Sequence, residues 1–113
     1  MTFDEYQKKA LKTAYTDPAY TDTLMDKTIW VLGISGEAGE VVERWKKIVA
    51  YQAGNISKED LTSLETELGD IMWYVATFAH SLGLSLDDIA KINLRKLADR
   101  QKRHVIKGKG DNR

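Results

Sequence analysis

The sequence holds no cysteine, only one proline and two histidines, and no apolar run approaching a membrane span. Without cysteine, disulfides, thiolate catalysis and zinc–thiolate sites are excluded. Two histidines are too few for a histidine-rich metal centre. A bilayer crossing needs roughly 18 consecutive apolar residues, and no secretory signal pattern is visible at the start, so the cytoplasm is the expected location. A single proline leaves long stretches free to be helical. The remaining composition, 42% hydrophobic and 30% charged over 113 residues, is that of one ordinary globular domain.

Net charge is formally zero but unevenly spread. Residues 1–90 carry 8 basic and 15 acidic side chains, whereas residues 91–113 carry 9 basic and two acidic ones. An acidic body with a basic end is suited to a cation in one part and a polyanion at the other. A basic helix end answering its own macrodipole gives the same pattern.

Periodicity predicts an all-α fold of four-helix-bundle type. The first helix is expected from Thr2, as cap, to Tyr15, and the segment from Thr16 to Thr23 around Pro18 reads as a loop. A second helix is expected from about Leu24 to Ala50, with Val31, Ile34, Ala38, Val41, Trp45 and Ile48 as its core stripe. Gly54-Asn55 marks a turn, and Ser57 followed by Glu59 and Asp60 opens a third helix. Its stripe is Leu61, Leu64, Leu68, Ile71, Val75, Phe78 and Leu82, and Gly83 ends it. Ser85 caps a fourth helix running to about Arg103. Helices two and three, joined by a short connection, should form an antiparallel pair. The domain is expected over residues 1–106, and the basic glycine-rich tail 107–113 reads as loop or disordered.

Two acid pairs carry the chemistry. Glu37-x-x-Glu40 lies on the second helix and Glu67-x-x-Asp70 on the third, and residues three apart share a helix face. Each face borders the apolar stripe, so the four carboxylates flank the seam between the helices. At about 4 Å and an effective dielectric near 20, each like-charged pair repels by roughly 4 kcal/mol. Protons or a hard cation must answer that repulsion, and Mg²⁺ with oxygen ligands is the natural one at neutral pH. Solvated surface acids are the plain alternative, and Arg44, one turn beyond Glu40, answers part of the charge locally.

Gly33, Gly36, Gly39 and Gly69 lie inside these helical patterns, where each costs about 1 kcal/mol relative to alanine. Close helix approach is the favoured reason for Gly33 and Gly36; clearance at the acids serves at least as well for Gly39 and Gly69. Trp30, Trp73 and Tyr74 lie near the acids, where an aromatic could stack a flat base, although tryptophans at helical spacing more often fill a core. Asn93 interrupts the apolar stripe of helix four, and a part-buried amide there wants partners. A satisfied asparagine is the plain reading; contact with a sugar or base edge is the functional one. Lys96 and Arg100 follow it and could meet phosphate oxygens.

With those residues in hand, the chain resembles the MazG-like nucleoside triphosphate pyrophosphohydrolases, an all-α superfamily. The shared pattern is Glu-x-x-Glu, a variable spacer, then Glu-x-x-Asp; here 26 residues separate Glu40 from Glu67. The settings Gly36-Glu-Ala-Gly-Glu40 and Glu67-Leu-Gly-Asp-Ile-Met-Trp-Tyr74 are similar too, as are Asn93-Leu-Arg-Lys-Leu-Ala-Asp-Arg100 and the ending Gly108-Lys-Gly-Asp-Asn-Arg113.

The resemblance implies that Glu37, Glu40, Glu67 and Asp70 bind Mg²⁺, with Mn²⁺ a possible substitute, and that the metal binds a triphosphate. Water activated there would attack the α-phosphorus, giving a nucleoside monophosphate and pyrophosphate. It further implies that Lys96 and Arg100 stabilise the pyrophosphate, and that chains associate as dimers or tetramers completing the site between them. Glu43 is a weaker candidate for a general base, lying about 60° around the helix from Glu40. Phosphoribosyl-ATP pyrophosphohydrolase activity and a non-catalytic helical interaction module are the alternatives. Nucleic-acid binding through the basic end is disfavoured by the acidic body, and a di-iron bundle lacks its Glu-x-x-His pairs.

Overall fold

The computed structural model describes residues 1–14 and 22–113. Four helices, α1 (Phe3–Ala14), α2 (Leu24–Gln52), α3 (Lys58–Ser81) and α4 (Leu86–Lys102), make an all-α chain, with no strand among the described residues. Tyr15 and most of the expected first loop lie outside those residues.

Local chemistry sets the ends. Thr2 and Glu5 cap α1 reciprocally, the Thr2 hydroxyl accepting from the Glu5 N–H at 3.0 Å. Thr23 with Asp26, and Ser57 with Asp60, form full capping boxes for α2 and α3. Ser85 accepts from the Asp88 N–H to open α4. Helix α2 closes on Ala53 in the left-handed region (φ 52°), with the Gly54 N–H donating to the Ile48 carbonyl at 3.1 Å. Gly83, at φ 72°, turns the chain after α3.

The α2–α3 pair forms the main contact; α1 lies across α3, and α4 rests on α1. A small cluster of Ala10, Ala76 and Leu86, flanked by Tyr6, Trp73 and Val75, joins α1, α3 and the first turn of α4. Gln7 is buried at its centre. Its amide donates to the carbonyls of Ala76 (3.2 Å) and Leu84 (3.0 Å) and accepts from the Leu86 N–H (3.2 Å). The bonds to Leu84 and Leu86 satisfy backbone groups that the turn between α3 and α4 leaves open.

Packing differs from the periodic expectation in one respect. The residues buried on α3 are small or polar, Ala76, Thr77, Ala79 and Ser81, and on α2 Trp30 and Ile48 are the buried apolar side chains. Much of the apolar stripe stays outside, with Trp45 47%, Leu61 57% and Leu68 51% exposed. Alanine, threonine and serine permit a closer approach of two helix backbones than leucine does, and the large side chains are left about half uncovered by the described residues. The radius of gyration, 17.1 Å, exceeds the about 13 Å of a compact 100-residue domain. Asn93 is likewise exposed and not part-buried as its place in the stripe suggested, because among the described residues nothing covers the stretch 91–99 of α4.

Candidate metal centre

The seam brings acids from both helices together. One carboxylate oxygen each from Glu37, Glu67 and Asp70 lies within 4.8 Å of the others. Glu37 and Glu67 are half-buried and Asp70 is exposed, so the cluster opens to solvent on one side. Glu40 is exposed and lies outside this triad; it lines a small polar cleft with Glu43, Arg44 and Lys47. Its charge nevertheless reaches the cluster. Glu37 is held above the ordinary glutamate range by partial burial first, then by the charges of Asp70, Glu67 and Glu40.

Arg44 is the cation nearest the triad. Its Nη2 lies 3.5 Å from Glu67 Oε1, at the edge of hydrogen-bonding distance, while its buried Nε makes no hydrogen bond. Helical spacing pairs Arg44 with Glu40, whereas the fold aims it across the seam at Glu67. Three carboxylates against one loosely held guanidinium leave the cluster strongly negative. Oxygen donors at this spacing, with excess negative charge and an open side, fit a hard divalent cation that keeps part of its water shell.

The helices that carry the acids also share an aromatic cluster. Trp30 is 3% exposed, and its ring meets Trp73 edge-on at 5.6 Å and Tyr74 at 6.3 Å. Trp73 donates from Nε1 to the Thr13 hydroxyl at 2.8 Å, tying α3 to α1. Gly33 is required here, since a Cβ would lie 2.2 Å from the Tyr74 ring; the expectation of close packing holds at this position. Gly36, Gly39 and Gly69 face open space instead. Tyr6 of α1 feels the site as well: burial, and then the charge of Asp70, raise its phenol. Sequence reading passed over Tyr6, whose only signal was its place on the apolar side of α1.

The other anticipated residues lie elsewhere. Asn93, Lys96 and Arg100 sit on the outer part of α4, which rests on α1 and not against the acids. Asn93 is exposed, while Arg100 is 4% exposed and bonded to Asp111 of the tail. Glu43 is held by Lys46 at 2.8 Å and Lys47 at 3.6 Å, and the Lys46 hydrogen bond above all holds its carboxyl below the ordinary glutamate range. A carboxylate so stabilised in its charged form is a poor base.

Comparison with known proteins accords with this arrangement. The model of the MazG nucleotide pyrophosphohydrolase domain matches residues 26–105, a span that includes every acid of the cluster. The Gene 37 protein of Mycobacterium phage L5 is 41% identical over 114 residues, covering the whole of both chains. No solved structure gives a significant match. No described helix is long and apolar enough to cross a membrane.

Proposed function

The chain belongs to the MazG nucleotide pyrophosphohydrolase family, and from that premise we propose that it hydrolyses nucleoside triphosphates, (d)NTPs, to monophosphate and pyrophosphate with Mg²⁺. The convergence of Glu37, Glu67 and Asp70 on one point of the seam carries this reading. These three residues would hold the ion, Mg²⁺ or in its place Mn²⁺, with Glu40 beside them. Bound there, the metal would offset phosphate charge and lower the pKa of a water attacking the α-phosphorus. Glu40, outside the triad, is the carboxylate suited to take the proton from that water. Tyr74 and Trp30 belong to the aromatic cluster that the same helices share, and Asn93, Lys96 and Arg100 supply polar and cationic contacts to the substrate.

Within one chain α4 lies on α1, so bringing its cations to the acids calls for a second copy. The bare apolar faces favour the same conclusion. A depression of about 690 Å³ lined by Leu61, Leu64, Leu68 and Met72 stands open on α3, and large exposed apolar patches mark association surfaces. The proposed enzyme is accordingly a homo-oligomer, which light scattering of the purified chain would report; a monomer at working concentration would remove this part of the reading.

The decisive experiment is a product assay over common and modified (d)NTPs, with and without Mg²⁺, separating pyrophosphate from orthophosphate. Metal-dependent pyrophosphate plus monophosphate is the expected result. Phosphoribosyl-ATP belongs in the same panel, since turnover of that substrate alone would reassign the activity. No product from any of them would favour a non-catalytic helical module.

A further inference from the structure

Beyond α4 the chain folds back on itself. His104 adopts the left-handed region at φ 58°, and the Val105 N–H donates to the Arg100 carbonyl at 2.9 Å. Arg113 then reaches back, its guanidinium donating to the carbonyls of Val105 (3.2 Å), Ile106 (3.2 Å) and Gly110. Gly108 leaves room for this side chain, since a Cβ there would lie 2.5 Å from Arg113 Cδ. Arg103 donates to the Arg113 carbonyl at 2.8 Å. Residues 105–113 thus form a closed loop fastened to the end of α4.

The loop sets one anion against two cations. Asp111 Oδ1 accepts from Arg100 Nη2 at 3.1 Å and lies 3.4 Å from Lys96 Nζ, while the Asp111 carbonyl also accepts from Arg100 at 2.9 Å. The arrangement is lopsided: the Arg100 side chain is 4% exposed and that of Asp111 is 85% exposed. The loop therefore covers a buried guanidinium with a carboxylate that itself faces water.

To a guanidinium and an ammonium, a carboxylate and a phosphate present the same recognition chemistry, anionic oxygens in a plane or tripod. A pyrophosphate brings more charge and more oxygens than Asp111 does. Apart from the bonds to the buried Arg100, the loop's grip is mostly solvent-facing polar bonds, whose net worth is small because water replaces them when they break.

We propose that the C-terminal loop is a strap over an anion site: Asp111 holds, on Lys96 and Arg100, the place that a phosphate or pyrophosphate group takes when the strap lifts. That Lys96 and Arg100 receive a phosphate group of the substrate rests on the reading above; that Asp111 holds their place rests on the tail geometry. The strap makes the cations available only to a ligand of sufficient charge, so weakly charged anions are turned away.

The test is calorimetric binding of inorganic pyrophosphate in EDTA, which removes the acid cluster from the readout. Asp111→Asn keeps the shape and one acceptor oxygen but removes the competing charge. Affinity should rise about tenfold, the scale of one charge-assisted hydrogen bond to a buried partner. Unchanged or weaker binding overturns the proposal, because Asp111 would then be inert or would position the cations. Adding Lys96→Gln, at an exposed position, should abolish the gain; a double variant that binds as tightly as Asp111→Asn places the anion elsewhere and also overturns it. A gain in Asp111→Asn from a chain that hydrolyses no nucleotide would uphold the strap while removing the proposed reaction, so the two readings fail separately.

Discussion

In the seam between α2 and α3, three carboxylates crowd within 4.8 Å with one arginine loosely alongside. On α4 and its tail three of the cations are met at home: Arg100 and Lys96 by Asp111, and Arg103 by Asp99 at 2.8 Å. Both regions concentrate charge of one sign, yet the first leaves most of it unanswered, whereas the second pairs Lys96, Arg100 and Arg103 with its own Asp99 and Asp111. The difference is instructive. Unanswered charge half-buried between helices costs folding free energy until something arrives, whereas charge answered by a tethered partner costs little until something must displace that partner. The acid seam is built to receive, and the basic end is built to exchange.

The sharpest way to break this contrast is to change one acid in each region. Asp70→Asn should lower turnover at least about a hundredfold, as loss of a residue stabilising the reacting charge typically does, while helical circular dichroism persists. It should also remove the rise in melting temperature on adding Mg²⁺. Asp111→Asn should keep that Mg²⁺ response intact. Equal loss of the response in both variants would merge the two regions into one site.

A second comparison concerns space. Gly33→Ala drives a methyl into the Tyr74 ring and should destabilise by about 1–3 kcal/mol, the range of overpacking. Gly36→Ala, on the same helix but facing open space, should stabilise by about 1 kcal/mol through helix propensity. Denaturant midpoints of the two variants measure both. A shift of the same sign would mean that the seam does not pack as described.

A smaller effect is expected from pH. Glu37 is raised in the folded chain by burial and neighbouring acids, so the folded state binds its proton more tightly than the unfolded one. Its contribution is fully present below the ordinary glutamate range and is lost as pH rises through the raised value. Metal-free stability should therefore decline over that window, and Glu37→Gln should flatten the decline. Asp4 and Asp60 are lowered, each chiefly by a backbone N–H, that of Asp87 for Asp4 and that of Ser57 for Asp60. Their contributions are lost only as pH falls below the usual aspartate range, so the windows separate. An unchanged slope in Glu37→Gln would remove Glu37 from the charge cluster.

Much of this was legible in the residues. Thr2, Ser57 and Ser85 announced three helix starts, Gly83 announced a stop, and acid spacing pointed to four converging carboxylates, of which the fold groups Glu37, Glu67 and Asp70 and leaves Glu40 outside. What periodicity does not tell is which face finds a partner inside the same chain. Thr77 and Ser81 share the acids' face and went inward, while Leu61, Leu68 and Trp45, the obvious core by hydropathy, stayed outside. Arg44 was read against Glu40 because spacing along one helix is visible, and its partner across the seam is not. Gln7 drew no notice in the sequence; its role depends on backbone groups freed almost 80 positions later.

Gln7 has a mechanical side. It and Asp4, which accepts from the Asp87 N–H and the Ser85 hydroxyl, grip α4 only at its first turn, leaving the rest of the helix projecting as a lever. Arg100 lies 14 residues beyond Leu86, about 21 Å along the helix axis. A rotation of about ten degrees at that pivot would carry the guanidinium by almost 4 Å at this length, more than a hydrogen bond spans. A glutamine on α1, remote from any phosphate, thus sets where the far end of α4 can reach.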